Sequence, residues 1–373
     1  MDHSTAHKVT ALLARGGLDW QYLLTAAASH GVTGLLSHNL PMVGGNLLPE
    51  KVKSELLAEN QENTQRSLAL AGALRKIVSA FAEQGISSVP FKGPTLALVA
   101  YEDLGLRQFA DLDILIHEQD FPRAKQTLAN CGFAPVPQLD CGREAALLRF
   151  DSACGFRNGR EVFLDIHWRF APAYFGLQLE TKGMWRRLQT VSFGVHSVPT
   201  LSVEDLLLVL CCHGFTHSWV RLGWICDIAG LIETQKNLDW NAVMERAAKC
   251  GVQRILSLGL LLANGILGAE LPNDILKSAQ RDSFVRKYAV RLQGNLSVEQ
   301  SEAGIIGTAA FHLGMRERRR DKVRSFFNLV ATPRSYDWMF ASVPRSFGFL
   351  YYLIRPIRMA KAHGSRLTNA GAA

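Results

Sequence analysis

Three aspartates, a lysine and an arginine carry the chemistry this chain is able to do. Asp111 and Asp113 flank one leucine in Arg107-Gln-Phe-Ala-Asp111-Leu-Asp113-Ile-Leu-Ile116, and the apolar run that follows has strand propensity. On a strand, residues two apart project to the same side, so Asp111 and Asp113 point together and Leu112 and Ile114 point away. Two carboxylates about 4 Å apart repel by roughly 4 kcal/mol at an effective dielectric of about 20. Such a pair stays ionised only beside cations. Mg²⁺ suits it, because that ion takes oxygen from one or two carboxylates and keeps positions for substrate phosphates. A lone Asp-x-Asp is a weak signal, since strand ends often carry solvated aspartates, and its surroundings must decide.

Upstream, Val89 to Phe91 reads as a short buried strand, Lys92-Gly93 as the turn after it, and Pro94 as the first residue of a helix. Strand, glycine turn and helix N-terminus together make a place for phosphate oxygens. Lys92 would add charge, Gly93 its backbone N–H, and Arg107 would reach a phosphate or pair with an aspartate. Downstream, Phe156 to Trp168 reads as a hairpin with Asn158-Gly159 as a two-residue turn. Its second strand puts Phe163, Asp165 and His167 on one face. A third carboxylate thus arrives on a strand able to pair beside the first two, and His167 either orients it, lines the acceptor site or packs in the core.

This order of motifs resembles bacterial nucleotidyltransferases of the polymerase-β-like superfamily. The resemblance rests on Lys92-Gly93, Arg107 before Asp111-Leu-Asp113-Ile-Leu-Ile, a helix ending in Cys131-Gly-Phe133, Leu164-Asp-Ile-His-Trp168, and His213-Gly-Phe-Thr-His217 to Asp227. It is closest to a poorly characterised branch with a Lys-Gly motif, and it spans about residues 60 to 360. It implies an α+β fold, a small mixed sheet forming the nucleotidyltransferase core within a mostly helical protein. It implies transfer of a nucleoside monophosphate from an NTP, with ATP expected, to a hydroxyl or phosphate acceptor, releasing pyrophosphate. Asp111, Asp113 and Asp165 match the metal-binding triad for Mg²⁺ or Mn²⁺. The wider superfamily holds the triphosphate with Gly-Ser, whereas here Pro94 and Thr95 follow Gly93, so the Thr95 hydroxyl is the candidate for that role. Phosphoryl transfer on the same fold and a catalytically silent nucleotide-binding or partner-binding protein are the rivals. Small molecule, sugar, peptide and protein remain open as acceptors.

The elements that must position these residues follow from the whole chain. Its 373 residues and 48% hydrophobic content allow two or three packed units. The net charge of +8 favours anionic ligands without choosing among them. Seven scattered cysteines without a C-x-x-C argue for a reducing cytoplasm and against a zinc ribbon. No signal peptide is expected from the N-terminus, and Ile255 to Ala269 is too short and interrupted to span a membrane, so it reads as a buried helix. Four regions are expected: helices over 1–85, the catalytic α/β unit over 86–170, a helical domain completing the nucleotide cleft over 171–300, and a basic helical region with a tail over 301–373. Pro41 to Pro49 reads as a loop, Lys51 to Gln84 as a long helix capped at Gly85, and Ala134 to Asp140 as a connection. Ala145 to Phe156 reads as the start of the hairpin, with a first part that is open to helix. From Pro172 the pattern is mostly helical, with Ser202 and Asp239 as N-caps.

His213 and His217 lie four apart on one helix face, a spacing able to bind zinc, but no His-Glu-x-x-His and no third ligand accompany them. Packing on the sheet, or lining the nucleotide cleft with Arg221 and Asp227, is the expected role. Arg221 and Asp227 would equally form a structural pair. The run Arg316 to Arg324 offers binding to nucleic acid or anionic lipid, against the usual role of a solvated helix face, and nucleic acid is not favoured.

Overall fold

The computed structural model describes residues 3–159, 162–194, 196–294, 296, 309–340 and 342–355. Its centre is a five-stranded sheet of β1 (Ser88–Pro90), β2 (Asp111–Ile116), β3 (Ala134–Val136), β4 (Ala153–Asn158) and β5 (Val162–His167), in the order β1-β2-β5-β4-β3. Only β2 and β5 run parallel, setting Asp113 opposite Asp165; the other neighbours are antiparallel, so the sheet is mixed. Alternation along β2 sends its side chains to two cores. Leu112, Ile114 and Ile116 pack with Phe156, Leu164 and Ile166 in one core, and Leu115 packs with Val89 and Phe91 in the other.

Before the sheet come α1 (His3–Arg15), α2 (Trp20–His30), α3 (Thr33–Gly44) and the long α4 (Glu50–Glu83). Gly16-Gly17 lies in the break between the first two, but Pro41 does not open a loop. The α3 helix runs through it to Gly44, and a 3₁₀ turn follows over Gly45–Leu47. Leu40, Leu48 and Leu13 bury themselves together there, and that packing outweighs the hydrogen bond Pro41 removes. Around the sheet, α5 (Gly93–Tyr101) follows β1, α6 (Phe121–Asn130) follows β2, and α7 (Cys141–Phe150) precedes β4. Leu70, Leu74, Ile77 and Phe81 of α4, with Phe121 and Leu128 of α6 and Leu147 and Phe150 of α7, build the core under Leu112 and Ile114.

Three expectations change here. Ala134–Val136 is an edge strand rather than a connection, and an edge is where a strand tolerates Pro135. Cys141 to Phe150 is fully helical, opened by Asp140, whose carboxylate accepts from the Arg143 N–H at 2.9 Å. Asn158 pairs with Val162, so the turn spans three residues, not two. A two-residue turn at Asn158-Gly159 would set Phe156 opposite Glu161; the observed register sets it opposite Leu164, which keeps the apolar residues on one face.

Beyond residue 170, α8 (Thr181–Arg186) leads into a hairpin of β6 (Gln189–Phe193) and β7 (His196–Thr200), which the helical reading of this region lacked. Its strands are short and half exposed, and alternate too weakly to stand out. Thr200 ties it to the main sheet by donating to the Pro90 carbonyl at 3.0 Å. Then come α9 (Val203–Thr216), α10 (Leu222–Thr234), α11 (Trp240–Cys250), α12 (Gln253–Leu267), α13 (Asn273–Gln280), α14 (Ser283–Gln293), α15 (Ala309–Gly314), α16 (Arg319–Ala331) and α17 (Ser335–Phe340). Ser202 and Asp239 cap α9 and α11 as expected. The second core joins Val89, Phe91 and Leu115 to α9, α10 and α12, so these helices lie over the aspartate face of the sheet. Parts of the expected 301–373 region, including the tail from residue 356, lie outside the described residues. No helix of the described residues is long and apolar enough to cross a membrane.

Candidate active site

The site begins with the backbone of β1. Its pairing with β2 continues one step past Pro90, where the Phe91 N–H donates to the Asp113 carbonyl at 3.2 Å. That step carries Lys92 to Asp113, and its ammonium donates to Asp113 Oδ1 at 2.9 Å. The turn to α5 then needs glycine twice over. Gly93 has φ +55°, and a Cβ there would sit 3.1 Å from the Asp111 carbonyl oxygen. Pro94 follows at the start of the helix, as the sequence suggests.

On the other flank of β2, the parallel strand β5 brings Asp165 and His167. His167 Nε2 lies 2.9 Å from the same Asp113 Oδ1, while its Nδ1 is buried with no hydrogen-bond partner among the described residues. Phe91 packs edge-on against its ring at 5.2 Å. One potential ligand atom from each of Asp113, Asp165 and His167 lies within 4.8 Å of the others. Asp111, two residues back on β2, stands outside that group. Strand β4 lies on the other side of Asp165: Gly155 is its pairing partner, and a Cβ there would come within 3.3 Å of Asp165 Oδ1 and 3.0 Å of the Phe163 ring.

The three carboxylates are held differently. Asp113 is 4% exposed, and burial alone would push its carboxyl up. The charges and hydrogen bonds of Lys92 and His167 outweigh burial and hold it well below the usual carboxylate range. Burial pushes Asp165 up to about 6; His167 opposes this, and the charges of Asp113 and Asp111 add to it. Asp111 is raised by burial and by Asp113, against Lys92 and Arg107. The site is thus short of positive charge on its Asp165 side. Two carboxylates and an imidazole at this spacing suit a divalent cation, and the donor set fits one.

Arg107 takes the structural course. It forms a two-pronged pair with Asp227 of α10, at 2.8 and 3.0 Å, and the Tyr101 hydroxyl donates to the same carboxylate at 2.9 Å. Asn63 of α4 holds the preceding loop by donating to the Gly105 carbonyl at 2.7 Å. Arg221 pairs with neither; its guanidinium lies over the Trp224 ring at 5.9 Å, and the two line a small cavity of about 50 Å³ beside the Arg107–Asp227 pair. Thr95 is fully buried, and its hydroxyl has no hydrogen-bond partner among the described residues. His213, His217 and Trp224 form an aromatic cluster with ring centroids 4.6 to 5.3 Å apart. Burial, with the charges of Lys92 and His217, pushes the His213 imidazole well below its usual range. Among the described residues, no third ligand joins this histidine pair to make a metal site.

Residues 16–268 match the model of a family described as uncharacterised nucleotidyltransferase. The chain belongs to that family. Among curated proteins none matches it. Among solved structures it is similar to the antibiotic-resistance factor ANT(2'')-Ia, at 13% identity and TM-score 0.35, over 49% of this chain and 91% of that one. It is similar to the lincosamide antibiotic adenylyltransferase LnuA at 16% identity and TM-score 0.31, over 43% and 95% of the two chains. A nucleotidyltransferase-like protein from Paracoccidioides brasiliensis shares 15% identity at TM-score 0.35, over 55% and 89%.

For a nucleotidyltransferase of this family, sequence reasoning missed two features of the site. Gly155, which leaves room beside Asp165, carries no motif; only the strand register marks it. The Arg107–Asp227 pair joins residues 120 apart in the chain, and nothing local in the sequence matches one to the other.

Proposed function

We propose that this nucleotidyltransferase moves a nucleoside monophosphate from an NTP, ATP first among candidates, to an acceptor hydroxyl or phosphate, releasing pyrophosphate, and needs Mg²⁺ or Mn²⁺. The observation that carries this reading is the side-by-side placement of Asp113 and Asp165 on β2 and β5, next to the Lys92-Gly93 turn at the start of α5. Asp113 and Asp165 would hold the cation, with Asp111 at its edge. When bound, the cation would neutralise triphosphate charge and activate the acceptor oxygen. Lys92 has three donors and keeps its bond to Asp113 while offering another to a phosphate. Gly93 contributes its N–H at the helix start, where the backbone dipole favours anions, and the unpartnered Thr95 hydroxyl lies in the same turn. His167 fixes the Asp113 carboxylate. Asp165, with its raised carboxyl, accepts the acceptor's proton near neutral pH. The nucleotide lies between the sheet and α9, against the neutral His213. Seven free cysteines support a reducing compartment such as the cytoplasm.

The test mixes protein and Mg²⁺ with cell extract as the acceptor source, using ATP labelled at the α or the γ phosphate. Label retained on an acceptor from the α position only is the expected result, and Asp113→Asn should lower it by about 10²–10³. Retention of γ label would make the enzyme a phosphotransferase. ATP binding without transfer of either label would make it a silent nucleotide-binding protein.

A further inference from the structure

The helix α16 is turned inside out. Among the side chains described, its inward positions are polar: Ser325 is 6% exposed, Asn328 donates to the Ala173 carbonyl at 3.1 Å, and Asp321 lies against the Gly251 turn. Its outward positions carry the large apolar side chains, Val323 at 56%, Phe326 at 51% and Phe327 at 62% exposure. At 3.6 residues per turn these three lie within roughly 100° of one another on the helix. Arg319 shares that face, Arg320 and Arg324 border it on one side and Lys322 on the other, all exposed. That is four basic side chains against one acid, Asp321, which points inward. The basic run therefore divides. Arg316 is 2% exposed beneath the Phe215 ring, and Arg318 donates to the Ala248 carbonyl, so both serve the fold. Among the described residues, Arg319, Lys322 and Arg324 make no side-chain hydrogen bond or ion pair, and Arg320 makes only a loose 3.7 Å contact with Asp321. The same C-terminal stretch exposes Tyr336, Phe347, Phe349 and Leu353.

We propose that α16 docks this protein peripherally on an anionic lipid surface. An apolar stripe with cationic flanks is what an interfacial helix needs: the rings and Val323 enter the acyl boundary, and the long basic side chains reach up to the headgroups. The charge and the apolar area favour lipid over nucleic acid. Single-stranded RNA would use aromatic faces as open stacking platforms, whereas Phe326 and Phe327 stand edge to face at 5.8 Å, and Val323 has no use on a base. This docking is independent of the catalytic reading.

The test uses the full-length protein and sedimentation with phosphatidylcholine vesicles, with and without phosphatidylglycerol. Binding is expected only with the anionic lipid. Removing two charges in Arg320→Gln/Lys322→Gln should lower it about 25-fold, about fivefold or 1 kcal/mol for each. Phe326→Ser/Phe327→Ser should lower it at least tenfold, roughly 1.4 kcal/mol. These side chains face outward, so neither variant should shift the melting temperature, and that measurement separates lost docking from lost folding. Equal binding to neutral and anionic vesicles, no binding to either, or full binding by a folded Phe326→Ser/Phe327→Ser variant would overturn the proposal. So would binding of a fluorescent single-stranded RNA in place of vesicles, or vesicle binding that appears only when residues 356–373 are removed, which would make the tail the natural occupant of the stripe.

Discussion

Replacing Asp165 with asparagine is expected to stabilise the metal-free protein while stopping the chemistry. The folded structure raises the Asp165 carboxyl from its ordinary 3.8 to about 6, through burial first and then through Asp113 and Asp111. Roughly two pH units correspond to about 3 kcal/mol, and solvent at the partly exposed carboxylate trims this to about 2–3 kcal/mol. The sign follows from which state loses its proton first. Below about pH 4 the carboxyl is protonated in both states and costs nothing. Between about pH 4 and pH 6 the unfolded chain ionises while the fold holds the proton, so stability falls as pH rises. Above about pH 6 the penalty is complete. Asparagine has the same shape and no proton to lose, so the variant escapes the penalty. Urea unfolding in EDTA, followed by tryptophan fluorescence, should show Asp165→Asn more stable than wild type by about 2–3 kcal/mol near pH 8, with the gap closing towards about pH 4. No gain near pH 8, or a gain that does not shrink in acid, would refute the account of Asp165 as a carboxylate without a cation.

Lys92→Met leaves Asp113 buried with only His167 as partner and should cost about 3–5 kcal/mol; adding Asp113→Asn should restore much of it, and urea unfolding of the single and double variants measures that coupling. Asp227→Asn removes the charge from the two-pronged bond to Arg107 and should destabilise by a similar roughly 3–5 kcal/mol in the same assay, despite standing outside the carboxylate cluster. Gly155→Ala presses a methyl against Phe163, the Val136 carbonyl and Asp165, and should cost about 1–3 kcal/mol in stability and lower single-turnover rates beyond what that loss explains.

Much of this was legible because it is local. Two-residue alternation put the aspartates of β2 on one face; the β2 boundaries, Asp111 to Ile116, are those the apolar run marks. Caps at Ser202 and Asp239 announced α9 and α11, because a side chain that accepts from the backbone two or three residues on is written in adjacent positions. What escaped was set by partners far away. The three-residue turn after Asn158 obeys the pairing of Phe156 with Leu164, not the local preference of Asn-Gly. The β6–β7 hairpin borrows its place from Pro90, more than 100 residues earlier. The role of Arg107 was open in the sequence because a guanidinium serves a phosphate or a carboxylate equally well, and only the packing of α10 over α5 delivers Asp227 to it.

Strand order explains why two like carboxylates are driven apart in acidity. β2 has β1 on one side and β5 on the other. From β1 comes Lys92 and from β5 comes His167, and both reach the same oxygen of Asp113. Asp165 sits one strand further along. Its outer neighbour is β4, which places Gly155, a residue with no side chain, directly opposite it. The same burial therefore ends in opposite outcomes: one carboxylate held ionised by fixed positive charge, the other held near the pH where it exchanges its proton. Paired acids pushed apart in this way take different roles. In the proposed reaction Asp113 would anchor and Asp165 would transfer the proton, and the positive charge Asp165 lacks is the one a divalent cation and its substrate would bring.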